Sequence, residues 1–230
     1  MTSRVFCAID TADMEQALNL VKRLSGASLH FKLGLEFFNA QGIAGVEKIR
    51  AAVGGKPEIF LDLKLHDIPN TVAGAVRSVI KARPQFLTVH ASGGRAMIRA
   101  ASDAAGSGSD RTKILAVTVM TNLDQEDLVS VGQTGSVEEQ VLRLALLSRD
   151  SGADGVICSP HEIEMLRREL GEGFLLVVPG IRPAGSAQND QKRTMLPEEA
   201  FKRGADYLVI GRPITGSSDP AATAESICNP

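Results

Sequence analysis

The sequence predicts an α/β chain folded as a single (β/α)8 TIM barrel domain spanning residues 1–230. Two observations carry that prediction. Eight short apolar runs recur along the chain, most of them starting 25 to 32 residues after the one before. Between them lie segments with apolar residues at helical spacing, several of which close on Gly or a basic residue. Continuous apolar strands alternating with helices imply a parallel sheet covered by its own connections. An open doubly wound sheet shares that alternation but more often carries a GxGxxG turn after its first strand. Here that turn reads Asp10-Thr11-Ala12-Asp13-Met14-Glu15.

The elements follow in order. RVFCAID (4–10) is the first strand and DMEQALNLVKRL (13–24), with its basic last turn, the first helix. LHFKLG (29–34) and EIFLDLKL (58–65) are strands two and three, and Ile68-Pro69 turns the chain into a helix, TVAGAVRSVIKA, that starts near Thr71. FLTVHA (86–91) and KILAVTVM (113–120) are strands four and five. The helix SVEEQVLRLALLSRDSG (136–152) precedes strand six, GVICS (155–159), and LLVVPG (175–180) is strand seven. PEEAFKRG (197–204) and YLVIGR (207–212) form the eighth helix–strand pair, and the tail 217–230 reads as the last barrel helix with a frayed end. Two connections are long and polar, 121–136 and 181–193. Both follow strand C-termini, the face on which barrels of this kind build their sites, so they read as lids or binding loops.

Composition excludes several classes of function. A formal net charge of −2 gives no global attraction to nucleic acid or anionic lipid, so any phosphate must be held locally. With no Trp and one Tyr, Tyr207, the chain lacks the stacking surface of single-strand binders. Cys7, Cys158 and Cys228 are scattered with no CxxC pair that would suggest a metal site or redox centre, and His30, His66 and His161 show no metal-ligand spacing with one another or with the cysteines, so no metal is expected from them. The N-terminus lacks a basic region followed by an apolar stretch, and no run of 18 apolar residues occurs. A soluble, cytoplasmic protein with reduced thiols and no membrane contact is the expectation.

Polar residues stand at successive strand ends: Asp10, Lys32, Asp62 with Lys64, His90, Thr121, Arg182 after Pro179-Gly180, and Gly211-Arg212. Some have modest alternatives, since Asp10 could cap the first helix, Lys32 could snorkel and His90 could be a satisfied core histidine. Asp62 and Lys64 are different. Alternation places both on the inward face of strand three, with Leu61, Leu63 and Leu65 turned to the helices. Asp67 lies just past the strand end. Buried charges are a poor route to stability, so this set points to chemistry. Two carboxylates flanking an ammonium keep Lys64 protonated, and Asp62 raises the free energy of an anion held beside it. Such a site suits loss of a carboxylate as CO2 with protonation of the carbanion by Lys64. Gly180, Arg182 and Gln191 after strand seven, with Gly211 and Arg212 after strand eight, sit where barrels commonly bind phosphate.

Over nearly its whole length the chain resembles the orotidine 5′-monophosphate decarboxylase family. The resemblance rests on AID (8–10), FKLG (31–34), Asp62-x-Lys64-x-x-Asp67 continued as Ile68-Pro69-Asn70-Thr71, TVHASGG (88–94), VMTN (119–122), VPGIRPAG (178–185), DQKR (190–193) and IGRPIT (210–215). DxKxxD alone is shared with sugar-phosphate relatives; DIPNT together with PGIRP is far more selective. The resemblance implies cofactor- and metal-free conversion of orotidine 5′-monophosphate to uridine 5′-monophosphate, with Lys64 as proton donor and Asp62 pressing on the substrate carboxylate. It further implies that Lys32 extends the Asp–Lys chain and, with Asp10, binds ribose hydroxyls, that Thr121 meets the pyrimidine edge, and that Arg182 and Arg212 with Gly211 grip the phosphate, with Pro179 also among the substrate-binding residues and Gln191 linking the closing loop to ligand. Asp67, Ile68 and Thr71 would complete the neighbouring subunit's site, making a homodimer with shared active sites. The alternatives are a metal-assisted sugar-phosphate decarboxylase or aldolase on the same barrel, and a catalytically silent nucleotide-binding barrel.

Overall fold

The computed structural model describes residues 3–54, 57–183 and 194–228. In these the chain alternates strand and helix as β1 (Val5–Ile9), α1 (Met14–Arg23), β2 (His30–Leu33), α2 (Leu35–Ala52), β3 (Ile59–Leu65), α3 (Pro69–Val79), β4 (Phe86–His90), α4 (Gly94–Ala105), β5 (Lys113–Val117), α5 (Gln125–Ser130), α6 (Val137–Asp150), β6 (Gly155–Ile157), α7 (Ile163–Leu170), β7 (Leu175–Val178), α8 (Pro197–Lys202), β8 (Tyr207–Ile210), α9 (Arg212–Thr215) and α10 (Pro220–Cys228). The eight strands pair in sequence order, all parallel, and β8 returns to β1 to close the barrel. The expected fold is the observed one.

Side-chain alternation divides the apolar residues into two cores. Val5, Cys7 and Ile9 of β1 face outward into a continuous layer beneath the helices. Phe6 faces inward, where it meets Phe60, Phe86, Leu115, Val177 and Val209 in a plug that fills the barrel's lower half. Phe6, Phe60 and Phe86 pack with ring centroids 5.5 to 5.8 Å apart, tilted or edge-on. The plug leaves only the upper mouth open. Gly155 is required by closure, because a Cβ there would lie 2.4 Å from the Leu175 carbonyl oxygen.

A repeated Gly-Ala-Asp, at 152–154 and 204–206, pins the lower rim. Asp154 accepts the Ile114 N–H at 2.8 Å and a two-pronged contact from Arg111 at 2.7 and 2.8 Å. Asp206 accepts the Leu176 N–H at 2.8 Å and Arg167 at 2.7 Å. Each carboxylate thus ties the strand it precedes to a neighbouring strand, a charge-assisted contact of the stronger kind.

Several boundaries shift for local reasons. Asp13, not Asp10, caps α1, accepting the N–H groups of Glu15 and Gln16 at 2.7 and 3.1 Å. That frees Asp10 for the barrel mouth. The third helix starts at Pro69, two residues before Thr71, as a proline at the first helical position permits. The long connection 121–136 contains α5, whose capping box pairs Asp124 with Asp127. No disulfide joins Cys7, Cys158 and Cys228; burial pushes Cys7 up to about 12 and Cys228 up to about 11, so neither of these two is a nucleophile at neutral pH. Among the described residues no helix is long and apolar enough to cross a membrane.

Candidate active site

The strand C-termini open onto a cavity of about 680 Å³, a size suited to a small phosphorylated ligand. Its floor is apolar, formed by Ala8, Phe60, Val117, Ile157 and Val209. One step higher along the same inward-facing positions the residues become charged. Asp10, Lys32, Asp62 and Lys64 all line the cavity.

Asp62 is the centre of the charged tier. Its Oδ2 receives the Lys64 ammonium at 2.8 Å and the Lys32 ammonium at 3.2 Å, while Lys32 also faces Asp10 at 3.8 Å. The charges therefore alternate, Asp10–Lys32–Asp62–Lys64, and sum to zero. That balance is what lets four ionised groups stand in a barrel where a single one would be costly. Burial pushes the Asp62 carboxyl up, but Lys32, Lys64 and hydrogen bonds from Lys64 and Thr88 outweigh it and hold the group at about 2. Asp62 is ionised throughout the physiological range.

Lys64 reaches this position through an irregular backbone. β3 pairs with β4 at Leu61–Leu87 and resumes at Leu65–Val89, so three residues of β3 face one of β4. Within this bulge Lys64 has φ 48°, a left-handed conformation that costs a residue with a side chain about 1–3 kcal/mol. Alternation correctly put Asp62 and Lys64 together, but the regular strand it assumed is interrupted at the lysine itself. One expectation is corrected here: Lys64 is not flanked by two carboxylates of its own chain. It pairs with Asp62, which two ammonium groups flank, whereas Asp67 is exposed and its Oδ1 accepts the Ile68 N–H at 2.6 Å.

Gly34 makes room for the network. A Cβ at this position would lie 2.2 Å from Asp10 Oδ1 and 3.3 Å from Lys32 Nζ. The FKLG sequence thus couples a lysine on β2 to the absence of a side chain two residues later.

Pro179, Gly180, Arg182, Gly211 and Arg212 line the side of the cavity formed after β7 and β8. Gly180 has φ 79°, which a side chain would resist, and Arg182 is buried with its guanidinium donating to the Ile181 carbonyl at 2.9 Å. Burial and the neighbouring Arg212 both lower the Arg182 pKa. Two mutually repelling guanidinium groups at one edge of a cavity favour an anion between them. Thr121 also lines the cavity, together with Gln16, Asn122 and Thr215. Gln191 lies outside the described residues. Asp67, Ile68 and Thr71 are exposed and line no part of their own chain's cavity. His90 packs against His66 with ring centroids 5.5 Å apart and the planes tilted by 41°, and does not line the cavity. Among the described residues no group of three or more His, Cys, Asp or Glu side chains could hold a metal ion.

This site sits on a chain whose residues 3–227 match the model of the orotidine 5′-phosphate decarboxylase / HUMPS family. The chain belongs to that family. Its relatives include the orotidine 5′-phosphate decarboxylase of Rhodospirillum rubrum, 53% identical across 97% of this chain and 92% of the relative. That of Paramagnetospirillum magneticum is 51% identical across 99% and 97%. The crystal structure of orotidine 5′-phosphate decarboxylase from Lactobacillus acidophilus superimposes with a TM-score of 0.86 at 39% identity, over 98% of this chain and 97% of that one. Of the segments that carried the resemblance to the decarboxylase family, AID, FKLG, DxKxxD, VMTN, VPGIRPAG and IGRPIT each contribute at least one cavity residue, TVHASGG contributes none, and DQKR lies outside the described residues.

Sequence reasoning missed Gln16, Thr215 and Thr88. Gln16 and Thr215 lie on helices, where an upward-facing polar residue looks like any solvated one. Thr88 was readable in principle: it precedes His90 by two on β4 and so shares the inward face with the polar strand ends.

Proposed function

We propose that this chain decarboxylates orotidine 5′-phosphate to uridine 5′-phosphate and CO2, in the cytoplasm, as a step of pyrimidine synthesis. The observation that carries the proposal is a carboxylate held ionised between two ammonium groups in a cavity with two arginines at one edge. The membership of the family and the names of the relatives support the choice of substrate.

In this reading Arg182, Arg212 and Gly211 hold the phosphate, and Asp10 with Lys32 holds the ribose hydroxyls. Binding energy from these remote contacts forces the substrate carboxylate toward Asp62. Repulsion between the two anions raises the ground state and is relieved as the bond from pyrimidine carbon 6 to the carboxylate breaks. The electron pair stays on carbon 6 and CO2 leaves. Lys64, already aimed by Asp62, then donates a proton to that carbon and is reprotonated from solvent. No electron transfer occurs, so the reaction calls for no redox cofactor, and the ammonium groups supply the positive charge that a metal would otherwise bring.

We further propose a homodimer in which Asp67, Ile68 and Thr71 complete the partner's site. Ile68 is 66% exposed and Leu35 47%, an apolar pair flanking the mouth that a second copy would cover. Mixing inactive Lys64→Ala with inactive Asp67→Ala tests this arrangement. Hybrid dimers hold one site with both residues intact, so activity returns on mixing; a mixture as inactive as its components would contradict shared sites.

A further inference from the structure

We infer that Thr88 is a positioning residue for the proposed decarboxylation, aiming Asp62 and Lys64 together; the inference rests on that reading of the site. Thr88 is fully buried and is the one β4 residue opposite the bulge formed by Asp62, Leu63 and Lys64. Three residues cannot share the ladder positions of one. The Lys64 N–H, turned out of the ladder by its left-handed backbone, donates to Thr88 Oγ1 at 2.9 Å. With that lone pair engaged, the hydroxyl sends its single hydrogen to Asp62 Oδ1 at 2.9 Å.

One side chain thereby holds both the backbone that carries the proton donor and the carboxylate that aims it. By occupying Oδ1, Thr88 fixes the rotation of the Asp62 carboxylate and leaves Oδ2 to the two ammonium groups. The polarity is also set. A hydroxyl that accepts from a backbone N–H must donate to the carboxylate, which favours the ionised form of Asp62. Thr88 does not line the cavity, so it acts through Asp62 and Lys64 and not on a ligand.

A purely structural hydroxyl would do less. It would satisfy the bulge N–H, and its loss would lower stability while leaving turnover of the folded protein unchanged. Thr88→Val and Thr88→Ser separate the two roles, since Val keeps the β-branched shape without either hydrogen bond and Ser keeps both bonds without the methyl. For each full-length variant, kcat for orotidine 5′-phosphate, Kd for uridine 5′-phosphate and Tm are measured.

We expect Thr88→Val to lower kcat about 10- to 100-fold, the range for losing a hydrogen bond to a charged group. Its Kd for uridine 5′-phosphate stays within about threefold, because the arginine side of the cavity is untouched. Thr88→Ser returns kcat to within about threefold of the unmodified chain even where its Tm is lower. A Thr88→Val protein with unaltered kcat, or a Thr88→Ser protein as slow as Thr88→Val, would overturn the inference. Should Thr88→Val not fold, Thr88→Cys, a much weaker donor and acceptor, carries the same expectation. An unmodified chain without turnover would instead overturn the decarboxylase reading itself.

Discussion

Replacing Asp62 by Asn keeps the side chain's shape and removes the charge on which the site is organised. In the folded chain burial pushes the Asp62 carboxyl up, while Lys32, Lys64 and two hydrogen bonds bring it from 3.8 down to about 2. The sign follows by linkage: a depressed carboxyl stabilises the fold above its unfolded pKa, near 4, and that contribution is lost as the pH falls toward about 2. The displacement corresponds to about 2 kcal/mol, and Asp62 is buried enough that solvent screening removes little of it. Asp62→Asn is therefore expected to be about 2 kcal/mol less stable than the unmodified chain at pH 7, or roughly 4–8 °C in Tm for a chain of this length. The gap should hold from pH 7 to about pH 5 and narrow between about pH 4 and about pH 2, as the unfolded chain's carboxyl takes up a proton while the native one stays ionised. Urea unfolding followed by circular dichroism at pH 7, 5 and 3.5 measures it. An Asn variant as stable as its parent at pH 7, or a gap that widens on acidification, would refute the claim that the two lysines outweigh the burial of this carboxylate.

Other substitutions test the surrounding geometry. Gly34→Ala puts a Cβ 2.2 Å from Asp10 Oδ1, and is expected to push that carboxylate off Lys32 and raise KM about tenfold with little change in Tm. Arg212→Ala removes one of the two guanidinium groups facing the cavity and should lower kcat/KM for orotidine 5′-phosphate about 100-fold, whereas in the unmodified chain an added phosphate-like dianion should restore part of the rate for the unphosphorylated nucleoside. Gly155→Ala forces a methyl to 2.4 Å from the Leu175 carbonyl oxygen and should destabilise the barrel by about 1–3 kcal/mol, measured by urea unfolding.

The barrel was legible because its signal is redundant: eight apolar runs, most of them 25 to 32 residues apart, leave little choice of architecture. The charged tier was legible for a different reason. Asp62 and Lys64 contradict the burial pattern of their own strand, and a local contradiction of that kind marks a site. What the pattern could not supply was three-dimensional pairing. Alternation treats β3 as regular, so it gives no sign that Lys64 adopts a left-handed backbone or that Thr88 faces the resulting bulge. The same limit explains why Asp67 was set beside Lys64: three residues of separation suggested a contact that the turn at Ile68-Pro69 removes within one chain. The short helix α5 was hidden in a polar stretch, though Asp124 and Asp127 spell its cap.

The central claim is that Asp62 and Lys64 drive decarboxylation without metal or cofactor. Mixing the purified chain with orotidine 5′-phosphate in excess chelator, and following the loss of its absorbance against release of CO2, tests that claim most directly. The account predicts stoichiometric conversion at an undiminished rate, and no conversion when Lys64 is replaced by Ala. A rate abolished by chelator and restored by a divalent ion, or a Lys64→Ala variant that still releases CO2 at the parent rate, would contradict it.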